Sequence, residues 1–201
     1  MIDSIVFDLG NVLVEYQPYT YLVEKYGEGK QVDALFSTIF GTETWLKLDE
    51  GTITNEEACE IFTNQIPQYA EEVREVLWDW HTHVTEKTET AALLRDMKMQ
   101  GYRCYYLSNF QEHVYEYIKD LFSFWQYFDG GVFSFQEKLI KPDRRIYEVL
   151  LDRYDLEPGR CIFLDDVPKN IEGAKEVGMH GIVFEEIGQV KRELEEYLKR
   201  T

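Results

Sequence analysis

The stretch Ser4-Ile5-Val6-Phe7-Asp8-Leu9-Gly10-Asn11-Val12-Leu13-Val14-Glu15-Tyr16 (SIVFDLGNVLVEY, 4–16) opens the sequence with a short apolar run that stops on an acid. Ile5, Val6 and Phe7 are too few for a helix, and the Asp, Gly and Asn after them bound them as a buried strand. Asp8 then stands at a strand's carboxyl end. Two positions later, where a second acid would complete a catalytic pair, the residue is Gly10.

Four further apolar runs share this form: Cys104 to Leu107, Gly131 to Phe133, Cys161 to Leu164 and Gly181 to Phe184. Helical periodicity fills the intervals, over 90–101, 142–154 and 167–178, with Pro near the first turn of the second and Gly closing the first and last. Strand and helix in alternation predict an α/β fold, a doubly wound parallel sheet with helices on both faces. Residues 15–85 break the pattern. They carry four amphipathic helical stretches and no convincing strand, and Thr54 with Glu57 has the spacing of a capping box. The expected organisation is a core of 1–14 and 86–201 with a helical cap, 15–85, inserted after the first strand and lying over the strands' carboxyl ends, where sheets of this kind bind ligands.

The 201 residues carry a formal charge of -17, with 44% hydrophobic and 29% charged residues. That is a globular composition, and its charge repels nucleic-acid backbones and anionic membrane surfaces. No uncharged apolar stretch approaches the ~18 residues of a membrane span, and acids interrupt the first segment, so neither a signal peptide nor a membrane partner is expected. Cys59, Cys104 and Cys161 are odd in number and form no CxxC pair. They fit a reducing, cytoplasmic setting and buried apolar roles. His81, His83 and His113 form no ligand set in the sequence and are expected at the surface or satisfied in the core, without zinc.

The residues just beyond the strands are chemically coherent. After the first comes Asp8, after the second Ser108-Asn109, after the third and a short loop Lys141-Pro142, and after the fourth Asp165-Asp166. Each alone reads as a turn, a cap or a solvated side chain. Together at one sheet edge they offer a carboxylate able to attack phosphorus, oxygens able to hold Mg²⁺, and a hydroxyl and an ammonium for a phosphoryl group.

In that order, Asp8-Leu9-Gly10-Asn11, Leu107-Ser108-Asn109, Lys141-Pro142-Asp143 and Leu164-Asp165-Asp166 resemble the four motifs of the haloacid dehalogenase-like hydrolase superfamily, in its helical-cap subgroup. The resemblance implies a Mg²⁺-dependent phosphatase with Asp8 as nucleophile and metal ligand, the Gly10 backbone carbonyl and Asp166 on the metal, and Asp165 supporting it through water. It gives Ser108 and Asn109 to the phosphate and makes Lys141 the residue that orients and neutralises. Asn170 assists from behind. The stretch from Trp45 to Thr54 resembles the family's cap loop, with Trp45 set to stack on a substrate and Asp49 or Glu50 to accept its hydroxyls; core packing for Trp45 and a surface place for the acids is the competing reading. Tyr16 is a further lining candidate.

Gly10 departs from the usual pattern, in which an Asp protonates the leaving oxygen, a role worth ~10²- to 10⁴-fold. The chain is similar in this to a branch with DLGN or DLGG that includes sugar-phosphate phosphatases, notably for glucose 1-phosphate, whose anomeric oxygen needs less help to leave. The expected partner is thus a small phosphorylated metabolite, the expected assembly a monomer or weak homodimer. A dehalogenase and a phosphometabolite-binding protein without turnover stand as the alternatives.

Overall fold

The computed structural model describes residues 1–199. Five strands, β1 (Ser4–Phe7), β4 (Arg103–Ser108), β5 (Gly130–Phe133), β6 (Cys161–Asp165) and β7 (His180–Val183), form one parallel sheet in the order β5-β4-β1-β6-β7. The pleat explains why the runs are apolar throughout. Val6, Tyr105, Leu107, Val132 and Phe163 face one side, where α9 (Arg144–Arg153) and α10 (Pro168–Glu176) cover them. Ile5, Phe7, Cys104, Phe133, Ile162 and Leu164 face the other, packed with residues of α6 (Thr88–Met99), α7 (Glu112–Ile118) and α11 (Ile187–Lys199). Both faces are buried, as a parallel sheet requires.

Between β1 and α6 the chain forms α1 (Pro18–Tyr26), α2 (Lys30–Ile39), α3 (Glu43–Glu50), α4 (Asn55–Gln65) and α5 (Ala70–Asp79). Thr54 and Glu57 do make the reciprocal capping box that starts α4, an arrangement whose cap residue is worth ~1 kcal/mol. Strand structure is present at both ends of this segment: β2 (Val14–Glu15) pairs antiparallel with β3 (Thr85–Glu86), joining the two chain crossings into a ribbon.

One local reading of the sequence is corrected. The Trp45–Thr54 stretch is helical as far as Glu50, because Thr42 caps its start by accepting from Trp45 N and Gly51 closes it in the left-handed conformation at φ 69°. Gly51 has no alternative there, since an added Cβ would meet the Phe135 backbone oxygen at 2.9 Å. Pro142 stands just before α9, whose N-cap is Asp143, accepting from Arg145 N. The short helices α7 and α8 (Ser134–Glu137) and the long α11 escape the sequence reading.

Candidate active site

The sheet register sets the site. Phe7 is paired with Tyr106 on one side and Leu164 on the other, so the next residue, Asp8, is level with Leu107 and Asp165. Asp8 N donates to Leu164 O at 2.8 Å, which holds the acid in line with the strand. The chain then turns tightly, with Leu9 O accepting from Val12, Leu13 and Val14 N and with Asn11 at φ 55°, a conformation asparagine tolerates.

Lys141 reaches this edge because Asn109 holds its backbone from both sides: Asn109 Nδ2 donates to Lys141 O at 3.1 Å, and Lys141 N donates to Asn109 Oδ1 at 2.8 Å. The buried ammonium lies 2.9 Å from Leu107 O, 2.6 Å from Asp165 Oδ2 and 2.8 Å from Asp8 Oδ1. Two of its protons go to Leu107 O and Asp165 Oδ2, while Asp8 Oδ1 is its ion-pair neighbour and has no hydrogen-bond partner. Asp165 is wholly buried and also accepts from Val167 N and, with both oxygens, from Asn170 Nδ2. Asp166 accepts from Asn11 Nδ2 at 3.0 Å.

The structure thus brings Asp8, Ser108, Lys141, Asp165 and Asp166 to one edge, with Gly10 beside them. It gives two residues different surroundings from those expected. Asn109 has both ends of its amide on the Lys141 backbone, and Asp165 has its oxygens engaged by protein donors, so each braces Lys141 rather than offering a free polar group. Asn11 and Gln111 carry contacts the sequence reading does not assign.

Charge at the edge is out of balance. Oxygens of Asp8, Asp165 and Asp166 lie within 4.8 Å of one another, and Lys141 is the one ammonium among them. Burial works against the Lys141 charge, but Asp165 and Asp8 beside it hold its pKa above the ordinary value. Burial pushes Asp8 up to about 7; Lys141 opposes this and Asp165 adds to it. Asp166 is also raised, by burial first, against the Asn11 bond. Two negative charges left over on clustered oxygens are the donor set a hard divalent cation takes. Ser108 Oγ is buried, close enough to moderate the rise at Asp8, and otherwise without a partner.

Over the edge lies a cavity of about 80 Å³ lined by Gly10, Asn109, Gln111, Asp49, Tyr16, Trp45 and Trp80, with Val14, Val84, Phe110 and Val114. Asp49, from α3, is half-buried and is one of the lining residues. Gln111 Nε2 donates to its Oδ1 at 2.9 Å, and dense protein around the carboxyl pushes its pKa up to about 7, lowered by Gln111 and raised by the charge of Asp8. Trp45 is buried among Tyr16, Phe40 and Trp80, with ring centroids 6.3, 4.7 and 5.2 Å away, so its rings are largely occupied by packing. His81 and His113 pack edge to face at 5.1 Å, and burial lowers His113 to about 4; His83 lies against Tyr21. The carboxylate trio is the sole metal-type cluster among the described residues.

A parallel sheet carrying a carboxylate, a lysine and paired acids on its carboxyl edge defines a hydrolase of the haloacid dehalogenase class. The family model described as haloacid dehalogenase-like hydrolase matches residues 2–178, and the chain belongs to that family. It is 28% identical over 177 residues to a sesquiterpene phosphatase of Aspergillus oryzae, across 88% of this chain and 87% of that protein. It is 26% identical over 187 residues to a phosphorylated carbohydrates phosphatase of Thermotoga maritima, across 90% and 83%. Among solved structures, a haloacid dehalogenase family enzyme of Bacteroides thetaiotaomicron in complex with magnesium and inorganic phosphate superposes with a TM-score of 0.73 at 20% identity, over 94% of this chain and 99% of that one. The protein is accordingly a phosphatase-like hydrolase.

Proposed function

We propose that this chain is a Mg²⁺-dependent phosphatase acting on a small phosphorylated metabolite, with sugar phosphates foremost and glycosyl 1-phosphates first among them. The observation that carries this reading is the Asp8–Lys141–Asp165 chain, with distances of 2.8 and 2.6 Å, beside the unengaged hydroxyl of Ser108. Asp8 attacks phosphorus and displaces the leaving oxygen, forming an aspartyl phosphate that water later opens. Lys141 keeps Asp8 oriented and offsets the charge that gathers as phosphate arrives, and Ser108 donates to a phosphoryl oxygen. Asp8, the Gly10 carbonyl and Asp166 would hold Mg²⁺, with Asp165 behind them; when bound, the ion neutralises phosphoryl charge. Asn109 positions Lys141. Residues 15–85 act as the cap that sets access, and Trp45 and Asp49 present its inner wall.

A second reading, an apolar phosphomonoester, has a specific observation in its favour. Val14, Tyr16, Trp45, Trp80, Val84, Phe110 and Val114 make the cavity wall mainly apolar, and one relative is a sesquiterpene phosphatase.

Phosphate release from glucose 1-phosphate, glucose 6-phosphate and a prenyl monophosphate, with Mg²⁺ or EDTA, tests both. Metal-dependent release is expected, with a loss of ~10⁴- to 10⁶-fold in Asp8→Asn, the scale seen when a nucleophile is removed. Preference for glucose 1-phosphate supports the first reading and preference for the prenyl ester the second. Release that survives EDTA, or that survives Asp8→Asn, is incompatible with either.

A further inference from the structure

Gly10 leaves a place empty as well as a role unfilled. Its backbone lies outside the left-handed region that would exclude a side chain, and no atom stands within 4 Å of where its Cβ would be. Gly10 borders the cavity that α3 lines with Trp45 and Asp49, and Asp49 is the one acid among its lining residues. An acid that the sheet edge does not supply from below is thus supplied from above.

We infer that Asp49 is the acid and base of the reaction, donating a proton to the leaving oxygen while Asp8 attacks and recovering one from the water that opens the aspartyl phosphate. The inference rests on the phosphatase reading and deepens it. Atoms and charges balance: in the first step the Asp8 oxygen–phosphorus bond forms, the ester phosphorus–oxygen bond breaks, and the Asp49 proton leaves with the alcohol. In the second, water adds to phosphorus, its proton returns to Asp49, and Asp8 departs as a free carboxylate with inorganic phosphate. No outside reactant is needed.

Three contacts fix the acid in place. Gln111 Nε2 holds its Oδ1 at 2.9 Å and leaves Oδ2 for the leaving group. The Ser134 hydroxyl donates to Asp49 O and Lys138 Nζ to Gly51 O, pinning the end of α3 to the region beside β5. Gln111 itself is buried, comes two residues after Asn109, and has no partner for its own Oε1, so its orientation is committed to Asp49. Burial gives additional support by keeping Asp49 protonated far above the ordinary carboxylate range, which suits a general acid near neutral pH. An anomeric oxygen needs little of this help, whereas an ordinary alkyl ester needs most of it.

The test is the dependence of kcat/KM on the leaving group, over 4-nitrophenyl, phenyl and butyl phosphates with Mg²⁺. Asp49→Asn is expected to lose ~10²- to 10⁴-fold on butyl phosphate and less than about tenfold on 4-nitrophenyl phosphate, whose leaving group requires no proton. Gly10→Asp added to Asp49→Asn is expected to restore butyl phosphate turnover from the opposite wall. Asp49→Ser carries the same expectation should Asp49→Asn not fold by circular dichroism. Equal losses on all three esters, no loss at all, or failure of the rescue would each overturn the assignment. Absence of turnover in the wild type, or activity that persists in Asp8→Asn, would instead overturn the phosphatase reading on which it stands.

Discussion

The sheet edge and the α3 wall differ in how much of their polar capacity is already engaged. At the edge, Lys141 donates to Leu107 O and Asp165 and pairs with Asp8, Asp165 takes bonds on both oxygens, and Asn109 uses both ends of its amide, leaving Asp8 Oδ1 and Ser108 Oγ as the buried atoms without a hydrogen-bond partner. On the wall, Gln111 holds Asp49 by one bond, Gln111 Oε1 has none, and Trp80 Nε1 is buried without a partner. A group whose bonds are all made within the protein is held rigidly and can position others. A buried group with capacity left over is costly until something satisfies it. The Lys141 scaffold of the edge is therefore built to hold a geometry, while Asp8 and Ser108 upon it, like the wall, keep capacity for an incoming ligand.

Three measurements sharpen that contrast. The largest effect is expected from Asp165→Ala, which strands Lys141 beside Asp8 alone: breaking a buried pair of this kind costs ~3–5 kcal/mol, and urea unfolding of the metal-free protein would read it. A change in stability below about 1 kcal/mol would mean that the edge is not held by this pair. Next comes Mg²⁺. At about 100 times its Kd it should stabilise the fold by ~2.7 kcal/mol through mass action, and Asp166→Asn should remove most of that gain; a thermal shift equal in both proteins would break the assignment of Asp166 to the ion.

The smallest effect has the opposite sign. Asp49 is held up to about 7 in the folded chain, against 3.8 for an ordinary Asp. Between those values the folded state carries the extra proton, so the group's contribution declines as pH rises from about 4 to about 7 and stays low above it. Asp49→Asn should accordingly raise the Tm of the metal-free protein near pH ~8, by about 3 °C for each ~1 kcal/mol in a chain of this size, and leave it unchanged near pH ~4. A lower Tm at the higher pH would show that the carboxylate is welcome where it stands. Asp165 and Asp49 would then be alike, and the contrast between edge and wall would fail.

The same contrast explains how much of the site is legible in the sequence. Asp8, Ser108, Lys141, Asp165 and Asp166 each come after an apolar run directly or by a short loop, so local sequence ties them to strand ends and the parallel topology brings them together. Asn11, though it stands in the DLGN stretch, gives no signal for its contact, and Gln111 gives no comparable signal. Their partners, Asp166 and Asp49, are distant in sequence, and nothing in the short stretches NVL or FQEH specifies such a meeting. The α3 helix is hidden for another reason. Its eight residues bury only Trp45 and Leu48, too few to show a stripe, and its limits come from Thr42 and Gly51 rather than from periodicity. Trp45 itself reads in the sequence as either core or substrate surface, and three neighbouring rings account for most of its environment.

β1 also has a kinetic consequence. Ser4 lies beside Arg103 in one neighbour and Cys161 in the other, so the strand carrying Asp8 is flanked only by segments far along the chain. Contacts of such sequence separation cost loop-closure entropy before they contribute any stability, and they slow folding. Until residues 161–165 have docked, Asp8 has no Leu164 carbonyl to align it and Lys141 has no Asp165 to face. The site at this edge is consequently complete only when β1, β4 and β6 are all paired, so its geometry depends on the most non-local contacts of the sheet.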